Sequence, residues 1–153
     1  MNSTKTIEVK IERTIPAPCA EVFEAWLDPK VPGTTWNAAD KFILDPKVDG
    51  LFYWSMKGTA HYGRFTEIER PGTIKHTWMS PNTSGLESTV TLTFQPQGEN
   101  TLMTIVHSGL PDTEQARGHE KGWTYFIDIL REQFGDGSRK PYRWEDAHAE
   151  AQK

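Results

Sequence analysis

Residues 88–94 read STVTLTF, an unbroken alternation of threonine with valine, leucine and phenylalanine. A period of two places Val90, Leu92 and Phe94 on one face and Thr89, Thr91 and Thr93 on the other. Such a strand has one face for a core and one for water. Further short strands are expected from about residue 41 to 109: KFILDP, GLFYWSMKG, AHYGRFTEIE, TIKHTWMS and TLMTIVHSG. Turn-forming residues separate them, Arg70-Pro71-Gly72 and the run QGEN among them. Parallel pairing needs crossovers of a dozen or more residues, which these spacings do not supply. The chain must therefore build an antiparallel sheet, and something must cover its apolar face.

Two helices flank this region. The run PAPCAEVFEAWLDP carries Val22, Phe23, Trp26 and Leu27 at helical spacing, between Pro18 and Asp28-Pro29. It follows a first strand over residues 6–15, where Ile7, Val9, Ile11 and Ile15 share a face and Arg13 falls at that face's edge. A closing helix is expected over 112–134, with Gly135 just beyond it. The order is strand, helix, six strands, long helix. The fold class is α+β, a curved antiparallel β-sheet wrapped around a long C-terminal α-helix with an internal cavity. Residues 1–135 form the domain and 136–153 a polar C-terminal extension. Gly118 and Gly122 lie one turn apart inside the closing helix, beside His119 and Trp123. Glycine there costs about 1 kcal/mol relative to alanine, so a close approach of helix to sheet or loop is expected at that point.

At 153 residues, with six Trp, seven Phe and four Tyr, the chain can bury a real core. The net charge of −4, with both signs interspersed, lacks the basic face of a nucleic-acid binder. Cys19 is the one cysteine, the N-terminus carries no apolar signal core, and no run reaches the length of a membrane span. A cytoplasmic protein is expected.

Five segments in order carry a family resemblance: IPAPCAEVFEAWLDP, DPKVDGLFYWSMKG, YGRFTEIERPGTIKHTW, STVTLTF with NTLMTIVHSGL, and HEKGWTYFIDIL. Together they resemble the homologues of the activator of the heat-shock-protein-90 ATPase, within the START-like (SRPBCC) helix-grip superfamily. One departure is Asp49, which stands where the family's Val-x-Gly-Gly-x-Phe segment has its first glycine. The resemblance covers about residues 6–134 and implies a fold with a central pocket. Related folds bind lipids, hormones and polyketides, and some catalyse cyclisation or hydrolysis, so function has to be read from the site.

The expected ligand pocket takes Phe52, Trp54 and Met56 from one strand, His76 and Trp78 from the next inward-facing run, and Leu92 from STVTLTF. His107 comes from the last strand, and His119, Trp123 and Phe126 from the closing helix. The same apolar residues also suit an ordinary core. The histidines admit three readings: hydrogen bonding to a ligand, acid–base work, or metal binding. Metal ranks lowest, because no close ligand pair such as His-x-x-x-His exists. No catalytic residue, cofactor or metal is assigned. Phosphate-loop, dinucleotide and G-x-S-x-G signatures are missing. The leading expectation is a protein that binds an apolar or aromatic small molecule. The alternatives are a cyclase or hydrolase using a pocket histidine, and a co-chaperone-like interaction module. A homodimer and a chaperone partner stay open.

Overall fold

The computed structural model describes residues 5–135; the expected C-terminal extension lies outside the described residues. The order of elements is β1 (Thr6–Ile15), α1 (Cys19–Trp26), β2 (Lys41–Leu44), β3 (Leu51–Met56), β4 (Thr59–Glu69), β5 (Thr73–Trp78), β6 (Ser88–Gln97), β7 (Asn100–Pro111), α2 (Glu114–Arg117) and α3 (His119–Gly135). A 3-10 turn, Pro81–Thr83, links β5 to β6. The strands form one seven-stranded sheet in the order β1-β7-β6-β5-β4-β3-β2. Every pairing is antiparallel. From β2 to β7 the sheet is a simple meander, the outcome that short turns dictate. β1 closes the far edge beside β7.

The alternation sorts the faces as expected. Val90, Leu92 and Phe94 are buried on β6, as are Phe52 and Trp54 on β3 and Ile74, His76 and Trp78 on β5. In β4 the register shifts between Phe65 and Glu67. After this bulge Ile68 pairs with inward Ile74, while Glu67 sits opposite exposed Lys75. An extra residue in one strand reverses the parity of the residues beyond it, which is why Glu67 does not share the face of Phe65.

Helix α1 buries Cys19, Val22, Phe23 and Trp26. Helix α3 packs along β1, burying Trp123, Phe126, Ile127, Ile129 and Leu130. Arg13, at the edge of β1's inner face, donates from Nε to Asp128 Oδ1 of α3 at 2.9 Å. Both side chains are half-buried, so the pair contributes up to about 1 kcal/mol.

The closing helix is not continuous. Thr113 caps α2 by accepting from the Ala116 N–H at 3.1 Å, and a turn at Gly118 separates α2 from α3. The close approach expected at Gly118 and Gly122 is also absent. A β-carbon at Gly122 would meet nothing within 4 Å, and one at Gly118 would touch only carbonyls of its own preceding turn. The tight approach to this helix occurs at Gly33, in the loop after α1. There φ is +93°, and a β-carbon would stand 2.3 Å from the Leu130 backbone nitrogen. The loop seats on the C-terminal half of α3, while space opens beside Gly122 near the helix start.

Candidate functional site

Space opens where α3 begins. A two-residue turn joins β3 to β4, with Lys57 (φ 52°) and Gly58 (φ 81°) both left-handed, the geometry that matches strand twist in tight hairpins. That turn pairs Met56 with Thr59 and therefore Trp54 with His61. Trp54 and His61 pack with ring centroids 4.3 Å apart and planes tilted by 56°, and His61 lies 4.9 Å from Trp78. Across from these rings stand His119, Trp123 and Phe126 of α3, with the bare backbone of Gly118 and Gly122 between them. The pocket so formed has a volume of about 390 Å³. Lys57 and Gln115 at its rim are exposed, so it is open-sided.

Of the ten residues expected at a pocket, Trp54, Met56, Trp78, His119, Trp123 and Phe126 line this one. Phe52, His76, Leu92 and His107 lie behind the wall as buried core. The Phe52 ring packs 5.1 Å from Trp36 and 5.0 Å from His76. Gly63 makes this packing feasible, since a β-carbon there would stand 2.2 Å from the Phe52 ring. His61 and Trp36 were not foreseen. His61 shares parity with Gly63 and Phe65 in AHYGRF, a signal a strict alternation count could have caught. Trp36 sits in an irregular loop, where no period exists to mark it.

The polar atoms behind the rings form two relays. Trp123 Nε1 donates to His107 Nδ1 at 3.0 Å. His107 must then carry its proton on Nε2, which donates to Ser88 Oγ at 2.7 Å, and Ser88 donates to the Trp78 carbonyl at 2.7 Å. In the second relay Trp78 Nε1 donates to His119 Nε2 at 3.2 Å, and His119 Nδ1 donates to the Ala116 carbonyl at 2.8 Å. Both imidazoles are neutral in this arrangement, because each accepts from an indole that can only donate. Burial drives the same result. It is the main cause lowering His61 and His76 to a pKa of about 4. It also pushes His107 to about 2 and lowers His119. Ser88 and His107 are not a nucleophile and its base, since the nitrogen facing the hydroxyl already holds a proton.

Cys19 is buried, with the Thr101 hydroxyl 3.4 Å from its sulfur and 2.7 Å from the Ala17 carbonyl. Among the described residues no group of three or more His, Cys, Asp or Glu is placed to hold a metal ion. Nor is any helix among them long and apolar enough to cross a membrane. Among the described residues, depressions also lie against α1 and against the end of α3, and neither of these is lined by a histidine or tryptophan.

A seven-stranded antiparallel sheet closed by a C-terminal helix, with an aromatic pocket at that helix's start, defines a helix-grip protein. The chain belongs to the family described as activator of Hsp90 ATPase homolog 1-like protein, whose model matches residues 16–135. No curated protein sequence matches it. Among solved structures it is similar to protein MLL2253 from Mesorhizobium loti, with a TM-score of 0.69 and 24% identity over 86% of this chain and 98% of that one. It is also similar to an HSP90 activator, PFC0360w, from Plasmodium falciparum (TM-score 0.69, 23% identity, 84% and 96% covered). The Aha1 dimer from Colwellia psychrerythraea aligns with a TM-score of 0.70 at 13% identity, covering 86% and 98%. At these identities the likeness concerns the fold.

Proposed function

We propose that the protein binds a flat, largely apolar small molecule in the pocket at the start of α3. The observation that carries this reading is Gly122. It gives up helix stability inside α3, yet a β-carbon there would meet open space rather than a neighbour. It borders the pocket, as does Gly118 at the break before α3. An apolar wall with a few placed polar groups is the usual character of a ligand site. Flat bicyclic aromatic compounds should quench the pocket tryptophans and raise the unfolding midpoint, since linkage adds roughly 2.7 kcal/mol of unfolding free energy at a hundredfold excess over Kd. Gly122→Leu should abolish both effects while leaving the fold intact. If no such compound shifts the wild-type midpoint, the reading is wrong.

A co-chaperone-like role is the second reading, and the outer sheet face favours it. Ile43, Tyr53 and Tyr62 sit in register across β2, β3 and β4, and Tyr62 bridges to Met79. Ile43 is 67% exposed, Tyr62 47% and nearby Leu51 64%. Apolar surface of this kind marks interaction sites. The similar proteins from Plasmodium and Colwellia are titled an HSP90 activator and an Aha1 dimer. On this reading the protein stimulates the ATPase of an Hsp90 chaperone, and Tyr62→Glu abolishes the stimulation without touching the pocket. A wild-type protein that leaves the ATPase rate unchanged would rule it out.

A further inference from the structure

Three indoles line the pocket: Trp54, Trp78 and Trp123. Two of them donate to imidazoles, Trp78 to His119 and Trp123 to His107. The third has no counterpart. Trp54 is 2% exposed, and its Nε1 is buried with no hydrogen-bond partner. A buried donor left unpaired costs about 1–3 kcal/mol. No described group accepts from it. Both nitrogens of the facing His119 are engaged, and the neighbouring His61 turns Nδ1 to the Trp54 carbonyl at 3.3 Å.

Resting on the pocket reading above, we infer that the ligand is a flat aromatic carbonyl compound, a ketone, lactone or quinone, whose oxygen accepts a hydrogen bond from Trp54 Nε1. The lining favours a neutral acceptor over a carboxylate. Lys57 is its one cationic side chain and lies at the exposed rim. His61 and His119 in the lining and His107 behind it are uncharged, so a carboxylate buried beside Trp54 would lack a counter-charge. A carbonyl needs only the one donor, and its ring can stack among Trp54, Trp78 and His61.

The test compares two probes of nearly equal shape, 2-acetylnaphthalene and 2-isopropylnaphthalene, titrated against the full chain. The wild type should bind the ketone roughly five- to tenfold more tightly, the effect of one neutral hydrogen bond. Trp54→Phe should erase that preference while still binding the hydrocarbon. The carbonyl stretch of the bound ketone should shift to lower frequency in the wild type, a readout that needs no variant. Equal affinities in the wild type, or a ketone preference that survives Trp54→Phe, would overturn the inference and leave the pocket standing. Failure of both probes to bind would overturn the pocket and this inference together.

Discussion

A β-carbon added at Gly122 meets open pocket space, whereas one at Gly33 would stand 2.3 Å from a backbone nitrogen of α3. The two glycines should therefore respond in opposite senses. Gly122→Ala removes a helix penalty and adds no clash, so stability should rise by about 1 kcal/mol in urea melts. Gly33→Ala combines a left-handed φ with a backbone collision and should cost about 3 kcal/mol or more in the same measurement. The sequence shows that such glycines have a purpose but not which purpose, because partner and void look alike until the chain is folded. Asp49 makes a related point. Its φ of 68° explains a glycine at that position in the family pattern, and aspartate is among the side chains that tolerate it. Its carboxylate also pairs with Arg64 at 3.1 Å.

At the scale of elements, α3 is held unevenly. Its C-terminal half is seated by the Gly33 loop and tied to β1 by Arg13 and Asp128. Its first turn borders the pocket and comes directly after the break at Gly118. Amide exchange should accordingly be faster over residues 118–122 than around Leu130. A double-mutant cycle on Arg13→Ala and Asp128→Ala should return a coupling below about 1 kcal/mol, as suits a half-exposed pair. Most strands were legible because period two marks most of their length, and even Arg13's edge position could be read. The bulge in β4 and the break at Gly118 were not. Each depends on a local backbone choice that changes neither composition nor the overall hydrophobic pattern.

At the scale of the molecule, four histidines held below their usual pKa set the response to acid. Each is neutral when folded but takes up a proton near pH 6.5 once unfolded. The unfolded chain thus binds more protons below pH 6.5, and stability is lost as pH falls through that value, down to about 4 for His61 and His76 and further for His107. Unfolding free energies from urea melts between pH 7 and 5 should fall with a slope approaching 1.4 kcal/mol per pH unit for each of His61, His76 and His107, and His61→Gln should shrink that slope by one proton. That several histidines meet near one wall was legible from strand parity. That two of them serve as acceptors for tryptophans was not, since the pairing spans three elements distant in sequence. The same long reach governs how the protein is made. Among the described residues β1 (Thr6–Ile15) pairs only with β7 (Asn100–Pro111), so on a ribosome β1 waits, its apolar face uncovered, until β7 arrives. Until then residues 6–15 are an unclaimed sticky edge, and holdase chaperones that act during synthesis should recognise them first.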